Sequence, residues 1–523
     1  MTLTDQGAPL IGSSRRFAIA CAVLLFAVAI VPVWSVNIPP LLDYPNHLTR
    51  QYILANLQHS EDLRRFYTSE WFATPYLAMD VFVQAIAPLV PIEAAGRLFL
   101  SSALLLLGFG PIALSLALNR RVTVFSLLGM MFAYSHLLSL GFMPYLFSLG
   151  VAICLTSLWI WQREGHPLVR FLLMPALTVA LFFSHLIGFV VYALLASLYE
   201  FGRHVETVRH RLPRSPFRLD PQQRFNLASL GLQFAVPLVI FYLLGPSSET
   251  ADAASETTHG GIQRKIELLL GVFEYLIPPY FWSLDRALAV AIPIALVVLI
   301  ATRRVSIARD MRWPLIGLLV LFFAMPVEWF GGWGGDHRLF PAIGSVLAGS
   351  LVPRSTDLRM HVAKASIAVL AALILVRVTF VTIEWRKADQ EYSEFFEAFE
   401  LLRPASRLYY AVAFEGPRLI GRRPKIFIPC LAVTKKQVYV PYLFTGSAIR
   451  GLPLRYRPEF ETIQLASPGP YLPFGQSPNW PAIQEAYDFV LLVDGHHLEA
   501  PVPRQFKMLY RGRSVVLYEV TRL

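Results

Sequence analysis

Long runs of apolar residues alternate with short polar segments from residue 17 to residue 385. About 20 consecutive apolar residues are enough for an α-helix to cross the hydrocarbon core of a bilayer. The runs predict membrane-spanning helices over 17–35, 75–91, 97–118, 122–140, 145–161, 168–184, 186–202, 224–245, 286–301, 313–330, 339–353 and 362–384. The pattern therefore predicts an α-helical polytopic membrane protein.

Charged loops orient these spans. Basic residues cluster in 201–224, 302–312 and 352–364, whereas 245–261 carries acidic residues without lysine or arginine. Basic loops stay on the cytoplasmic side of a membrane, so the first three are predicted to be cytoplasmic and the fourth to lie outside. A basic flank also keeps the N-terminus inside, whereas the last span is predicted to run outward. The two ends of the chain then lie on opposite sides of the membrane, which requires an odd number of spans. Because the runs give twelve, the predicted count is a range of 11 to 13.

The chain changes character at its C-terminal end. Residues 386–523 have the composition of a soluble domain and follow a span that is predicted to run outward. Their pattern predicts one helix over 388–404 and strands over 425–433, 436–444, 487–495 and 513–523. We therefore expect a membrane domain over 1–385 and a small extracytoplasmic C-terminal α/β domain over 386–523.

Composition supports the membrane assignment and excludes one class of partner. Of 523 residues, 55% are hydrophobic and 15% are charged, and the mean hydropathy is +0.51. A soluble domain has about 25% charged residues. The net charge of +11 comes with arginines in short loops between spans, so membrane lipids are expected as partners and nucleic acid is not.

The first candidate site, "PPLLDYPNHLTR" (39–50), follows the first span directly. Its prolines predict a non-helical turn that carries Asp43, with Asn46 as the cap of the next helix. His47 and Arg50 are three residues apart and share a face of that helix. The three ionisable groups suit proton abstraction and phosphate binding. An equally favoured alternative is that Asp43 caps the turn and that Arg50 reaches lipid headgroups.

Residues 36–75 are predicted to form the first outside loop. The segments 47–58 and 60–72 have amphipathic patterns, which predicts two short helices along the membrane interface. Tyr67 and Trp71 are expected to lie in the headgroup region. The segment 263–283 has the same amphipathic character.

The second candidate site is "EWFGGWGGDHRLF" (328–340), in which four glycines and two tryptophans surround Asp336, His337 and Arg338. Glycines let a backbone approach a ligand closely, and an arginine at the start of a helix suits a phosphate. The alternative is a tight outside turn with aromatic residues at the interface.

His136 and His185 each follow a serine near the end of a predicted span. Ionisable groups at membrane depth usually line a cavity, which makes both candidates for substrate binding. A neutral histidine bonded to a backbone carbonyl is the favoured alternative. Metal ligation by the pair has little support, because no carboxylate partner stands out nearby.

With these residues the chain resembles the GT-C type integral-membrane glycosyltransferases. In that superfamily an acidic residue follows the first span, in a large outside loop with interfacial helices, and many spans and often a soluble domain follow. "LLDYPNHLTR" matches this motif, and the resemblance covers about 17–385. The segment 141–148 lacks the second acidic motif that the family often has. No paired acids flank Asp43, so no cofactor is predicted, and a divalent metal is unsupported.

The resemblance implies an inverting transfer of a sugar from a polyprenyl-phosphate lipid donor to an outside acceptor, in a bacterial inner membrane. Asp43 would be the general base, and Arg338 and Arg50 would hold the leaving phosphate. The sugar would stack on the aromatic residues Tyr44, Trp329 and Trp333. The acceptor would be a glycolipid, a glycan or a protein. The implied substrate-binding residues are Tyr44, His47, Arg50, His136, His185, Trp333, Asp336, His337 and Arg338.

The competing hypothesis is a transporter or flippase for an anionic lipid or solute. It would use His136, His185 and Glu328 for coupling. The sequence shows no paired inverted repeat and no interrupted helices in matching halves, which weighs against this function.

Overall fold

The computed structural model describes most of the chain. The described residues are 23–163, 165–210, 219–245, 257–273, 279–329, 332–354, 360–414, 425–446, 451–467, 469–473, 477–495 and 502–521. The first 22 residues, which include 17–22 of the predicted first span, therefore lie outside the described residues.

Helices dominate the part that precedes residue 392. They are Val31–Trp34, Tyr44–Asn56, Glu61–Phe66, Ala78–Ile86, Ile92–Asn119, His136–Ser139, Met143–Trp161, Met174–Ser184, Leu186–His210, Pro221–Leu244, Ile262–Leu270, Pro279–Ala301, Arg312–Ala324, Leu339–Ser350 and Met360–Glu391. Tighter 3-10 turns cover Val124–Phe132, Arg309–Met311 and Asp336–Arg338, and a π-helical turn covers Val169–Leu173.

The described helices confirm an α-helical polytopic membrane protein. Five of them are long and apolar enough to cross a bilayer: Ile92–Asn119, Met143–Trp161, Leu186–Val208, Pro221–Leu244 and Ala368–Glu400. Two shorter apolar stretches are Val124–Ser139 and Val169–Ser184. The range of 11 to 13 spans stays a prediction.

Two predicted spans do not form single long helices in the described structure. The run 75–91 contains a helix of only nine residues, Ala78–Ile86, which is about 14 Å long and reaches less than half of a bilayer core. The run 122–140 divides into Val124–Phe132 and His136–Ser139, because Ser135 has an extended backbone. The run 122–140 is apolar because most of it is packed inside the protein, which hydrophobicity alone does not distinguish from a span, whereas Val81 and Leu89 of the run 75–91 are exposed.

A mixed five-stranded sheet forms the core of the C-terminal domain. In spatial order its strands are Phe506–Arg511, Val515–Val520, Phe489–Val493, Leu408–Phe414 and Tyr471–Pro473. Leu408–Phe414 is parallel to both of its neighbours, and the other pairs are antiparallel. The helices Ser393–Glu400, Ala432–Lys436, Pro458–Ala466 and Trp480–Ala486 and the 3-10 turn Ile428–Leu431 accompany the sheet.

The α/β character of the C-terminal domain is confirmed, but two of its strands are not. The predicted strand 425–433 is a 3-10 turn followed by a helix, and no sheet strand lies within 436–444. Proline within each segment, Pro429 and Pro441, removes a backbone donor that a sheet needs. The predicted domain boundary at 385 lies inside the helix Met360–Glu391 and stays a prediction.

The C-terminal domain packs on the first outside loop. The strand Tyr67–Ser69 pairs with Leu454–Tyr456, which is antiparallel to it. The two predicted helices of the loop are present as Tyr44–Asn56 and Glu61–Phe66, but the first has many buried residues. Tyr67 is 1% exposed and is not a headgroup residue, because it is covered by the C-terminal domain.

Two more two-stranded sheets connect other loops of the described structure. Val305–Ile307 pairs with Leu351–Pro353, and Glu328–Trp329 pairs with Gly332–Trp333. The second pair precedes Asp336 in the chain, and the helix Leu339–Ser350 follows it, so the described part of the glycine-rich segment lies at the start of that helix.

Candidate functional site

Asp43 is the residue immediately before the helix Tyr44–Asn56. The helix therefore begins earlier than predicted, and Asn46 is not its cap. Pro45 is tolerated because the first turn of a helix needs no donor from it. An aspartate in this position usually caps the helix through its carboxylate. Within the described structure the Asp43 carboxylate makes no such bond, so it is available for other contacts.

The segment 139–141 holds the backbone of Asp43 in place. The amide of Leu42 donates to the carbonyl of Ser139 at 2.9 Å, and the amide of Asp43 donates to the carbonyl of Leu140 at 3.2 Å. Gly141 has φ +86°, and a Cβ there would lie 2.7 Å from the Asp43 nitrogen. Only glycine combines this conformation with such a close approach.

Arg338 approaches the same segment from the second candidate site. Its guanidinium lies 4.5 Å from the ring centre of Phe142, and its Nη1 donates to the carbonyl of Trp333 at 2.8 Å. The hydroxyl of Tyr145 donates to the Arg338 carbonyl. The Nε of Arg338 is buried and has no hydrogen-bond partner among the described residues.

The two candidate sites converge electrostatically although they are almost 300 residues apart. Burial raises the pKa of Asp43 to about 7, and the nearby charge of Arg338 partly opposes this shift. Burial also lowers the pKa of Arg338, while Tyr76, Tyr145 and Asp43 act in the opposite direction. A half-buried carboxylate whose pKa lies near 7 is suited to general-base catalysis.

Aromatic side chains lie beside this pair. Trp333 is 45% exposed, and its ring centre lies 5.0 Å from His337 and 6.4 Å from Phe142. The ring centres of His136 and His337 are 5.8 Å apart. The structure therefore brings His136, which the sequence analysis grouped with His185, next to the second candidate site.

Asp336 is fully buried and contacts two cations that the sequence analysis did not select. Arg264 donates to both of its oxygens at 3.1 and 3.3 Å, and Lys265 donates to Oδ2 at 3.1 Å. Although burial opposes ionisation, hydrogen bonds from His337 and Arg264 hold the pKa of Asp336 well below its usual range. Asp336 therefore fastens the glycine-rich loop to the helix Ile262–Leu270.

Arg50 is 1% exposed and forms a bidentate ion pair with Asp80. Its Nε and Nη2 donate to the two carboxylate oxygens, each at 2.9 Å, and Gln51 donates to Oδ1 at 2.7 Å. The sequence analysis missed Asp80. An acidic residue inside an apolar run was the available signal, because such a group requires a buried partner.

Tyr44 and His47 are also buried. Tyr44 packs toward the helix Ile92–Asn119, where a Cβ on Gly96 would lie 2.6 Å from its hydroxyl. The ring centre of His47 is 5.0 Å from that of Phe444, and burial keeps the pKa of His47 well below its usual value. Both residues lie beside Asp43 along the chain, with their rings covered by protein.

His185 lies between two tyrosine rings. Its ring centre is 4.8 Å from Tyr76 and 5.4 Å from Tyr145, and its Nδ1 accepts a hydrogen bond from the amide of Ile187 at 3.2 Å. Since Tyr145 also donates a hydrogen bond to the Arg338 carbonyl, His185 contacts Arg338 indirectly, through the ring of Tyr145.

The part of the chain that the structure describes contains no group of three histidine, cysteine, aspartate or glutamate side chains arranged to hold a metal ion. Trp329 belongs to the strand before the glycine-rich turn.

Comparisons with known proteins identify the fold. No family model matches the chain, and no curated protein matches it by sequence. The crystal structure of ArnT from Cupriavidus metallidurans in the apo state superimposes with a TM-score of 0.58 at 13% identity. The structure of the same protein bound to undecaprenyl phosphate gives a TM-score of 0.51 at 12% identity. Each comparison covers 97% of this chain and 98% of ArnT.

The similarity extends over both the membrane helices and the C-terminal sheet, since almost the whole of each chain is matched. At 12 to 13% identity the comparison establishes the architecture. The chain is thus an integral membrane protein with the fold of the ArnT structures.

Proposed function

We propose that the chain is an inverting membrane glycosyltransferase that moves a sugar from a polyprenyl-phosphate lipid to an acceptor outside the cytoplasm. The observation that carries this proposal is that Asp43, whose pKa burial raises to about 7, lies close enough to Arg338 for the guanidinium charge to oppose that shift, while the Nε of Arg338 is buried without a partner in the described structure. The fold supports the reaction class, and an ArnT structure that contains undecaprenyl phosphate supports the class of donor.

In the proposed reaction Asp43 accepts the proton of an acceptor hydroxyl or amine. The lone pair of that acceptor atom attacks the anomeric carbon of the sugar. The bond from this carbon to the phosphate oxygen breaks on the opposite face, and its electron pair leaves with the phosphate. One displacement inverts the anomeric configuration, and a general base typically contributes 10²- to 10⁴-fold to such a step.

Arg338 is proposed to hold the leaving phosphate. Its Nε is buried and without a partner in the described structure, so a bound phosphate would supply the missing acceptor. The guanidinium would stabilise the negative charge that grows on the leaving oxygen. Stacking on Phe142 and the bond to the Trp333 carbonyl restrict its orientation.

The partly exposed ring of Trp333 is the proposed platform for the sugar, with His337 beside it. The prenyl chain would remain in the membrane, while the sugar projects to the boundary where Asp43 lies. The acceptor is proposed to be a glycolipid, a glycan or a protein on the outer face of a bacterial inner membrane, where the C-terminal domain also lies. The burial of Arg50 against Asp80 favours a supporting role for this arginine.

The transporter hypothesis receives no comparable support. His185 is enclosed by Tyr76 and Tyr145 and accepts a backbone hydrogen bond. Glu328 lies on a short outside strand and accepts a hydrogen bond from Thr258 at 3.3 Å. These contacts leave both groups engaged in local structure.

The reaction class is tested by comparing cells that lack the protein with cells that contain it. Lipids and glycans of the envelope are extracted, and their masses are measured by mass spectrometry. We expect deletion to remove one species and to leave a form that is lighter by one sugar, while a prenyl-linked sugar accumulates. An unchanged profile would contradict the proposal.

The same assay tests Arg338. Arg338→Gln should lower product by about 10²-fold, the usual cost of losing one donor to a developing charge. Arg354→Gln is the matched control, because Arg354 is exposed in a predicted cytoplasmic loop. Equal product from the two variants would remove Arg338 from the mechanism.

A further inference from the structure

We propose that Asn46 is a positioning residue that couples the C-terminal domain to Asp43, so that this domain forms part of the active site. The inference rests on the proposed role of Asp43 as the general base. Neither the motif resemblance nor the overall architecture indicates a function for Asn46, which the sequence analysis considered only as a helix cap.

Both ends of the Asn46 amide bind the backbone of the C-terminal domain. Nδ2 donates to the carbonyl of Tyr442 at 2.9 Å, and Oδ1 accepts from the amide of Phe444 at 2.8 Å. Asn46 has no exposed surface. A buried amide that donates and accepts in this way fixes both distance and orientation, and losing it leaves backbone groups unpaired.

The residues that Asn46 holds belong to a segment, 438–445, that we call the docking loop. The hydroxyl of Tyr456 accepts from the Leu443 amide at 3.0 Å and donates to the Val440 carbonyl at 2.8 Å. Tyr442 adopts a left-handed conformation with φ +66°, which an L-residue keeps only when its surroundings enforce it. The docking loop is therefore a rigid partner for Asn46.

Tyr67 secures the docking loop from the first outside loop. Its hydroxyl donates to the Val438 carbonyl and accepts from the Val440 amide, each at 3.2 Å. The docking loop is thus hydrogen-bonded both to the C-terminal domain and to the first outside loop. Its position is therefore linked to that of the helix Tyr44–Asn56.

Asn46 and His47 come three and four residues after Asp43, so they continue the same face of the helix. Phe444 of the docking loop contacts His47, with ring centres 5.0 Å apart. Since the Asp43 carboxylate does not cap the helix, other contacts must hold its first turn. The segment 139–141 does so from the membrane domain, and the docking loop does so from the C-terminal domain.

The alternative is that the Asn46 hydrogen bonds only stabilise the packing of the two parts and do not position Asp43. The chain contains a second contact between the same two parts that serves as a control. Arg455 and Glu70 form an ion pair at 3.1 Å between the same two parts of the protein, at the strand pair Tyr67–Ser69 and Leu454–Tyr456. Both side chains are partly exposed. Loss of this pair should leave Asp43 unchanged.

The test measures Asp43 directly in the purified full-length protein. The infrared absorption of its protonated carboxyl group is followed against pH, and the band is identified by its absence in Asp43→Asn. Arg338, the charged group that lowers the Asp43 pKa, is retained in every variant. The wild-type midpoint should lie near 7.

Asn46→Ala should lower that midpoint by about one pH unit, because water that enters a loosened site favours the carboxylate. It should also lower cellular product by roughly 10-fold or more per folded molecule, since small misplacements of a reacting group are costly. Glu70→Gln should match the wild type in both measurements. Asn46→Ser, which retains one polar atom, should give smaller effects in both measurements. It replaces Asn46→Ala as the test variant if the alanine variant does not fold.

A midpoint and a product level that are unchanged in Asn46→Ala or, if it does not fold, in Asn46→Ser would overturn the inference while leaving the proposed function intact. Product loss that only follows the loss of folded protein, with an unchanged midpoint, would also overturn it. Product that persists in Asp43→Asn would instead refute the proposed function, and the coupling to catalysis with it.

Discussion

Burial determines the chemistry available to Asp43. Its pKa is raised to about 7 because the ionised form is poorly solvated, and the charge of Arg338 limits this rise. The two opposing effects leave a carboxylate that is ionised at slightly alkaline pH and still basic enough to take a proton. An exposed aspartate, which titrates near 3.9, would be ionised but a much weaker base.

The pH dependence of the reaction follows from this pKa. Asp43 acts as a base only when it is ionised, so the rate should rise about tenfold per pH unit below 7 and level off above it. Initial rates of product formation in isolated membranes between pH 5 and pH 9 provide the measurement. A rate that stays constant from pH 5 to pH 8 would be inconsistent with a base of this pKa.

At the scale of elements, the short segment 139–145 brings the two candidate sites together. Its backbone carbonyls accept from Leu42 and Asp43, and its aromatic residues Phe142 and Tyr145 contact Arg338. Gly141 makes this possible because its positive φ and missing side chain allow Asp43 to approach. The segment has no acidic residue, yet it determines the distance between the base and the guanidinium.

Gly141→Ala should therefore impair both stability and activity. The left-handed backbone costs about 1–3 kcal/mol of unfolding free energy for a residue other than glycine. The added Cβ would also displace Asp43, so product per folded molecule should fall by about 10²-fold.

Gly231→Ala is the control, because Gly231 lies in the helix Pro221–Leu244 with open space around its Cβ position. That change should stabilise the helix by up to about 1 kcal/mol. SDS-induced unfolding and the cellular product assay compare the two. Equal behaviour of the variants would show that the close contact at Gly141 has no importance.

The local sequence pattern was sufficient to predict the long helices and two strands, but not the contacts between residues distant in sequence. The apolar runs identified the long helices, and runs of β-branched and aromatic residues identified Phe489–Val493 and Val515–Val520. The partners of Asp336 and Arg50 escaped detection because a buried ion pair depends on residues distant in sequence. The segment 436–444, which contains most of the docking loop, was predicted as a strand. In the structure its apolar residues pack against tyrosines instead of extending a sheet.

At the scale of the whole molecule, the C-terminal domain and the first outside loop pack together. They share a strand pair, the bonds of Tyr67 and the amide of Asn46. Since Asp43 begins the helix that carries Asn46, both parts must lie on the same side of the membrane. The basic loops predict that this side is extracytoplasmic.

Accessibility of introduced cysteines tests this orientation. Glu459→Cys, on an exposed position of the C-terminal domain, should react in intact spheroplasts with a membrane-impermeant maleimide. Thr302→Cys, exposed at the start of a predicted cytoplasmic loop, should react only after the membrane is opened. The native Cys430 is buried and should contribute little labelling. The opposite pattern would place the site on the cytosolic side.

The central claim is that the Asp43 carboxylate is the base of a glycosyl transfer, and the amount of product made per folded molecule of Asp43→Asn tests it most directly. The asparagine removes the proton acceptor with little change of shape, so product should fall by about 10²- to 10⁴-fold. Glu61→Gln, an exposed carboxylate in the same loop, should have no effect.

Stability separates this result from misfolding. Because burial raises the folded pKa of Asp43 to about 7, the fold loses stability as the pH rises from about 4 to 7, and this loss is complete at pH 8, so Asp43→Asn should be at least as stable as the wild type there. A stable Asp43→Asn variant with almost no product is the predicted result. A stable variant that makes product at the wild-type level would contradict the account.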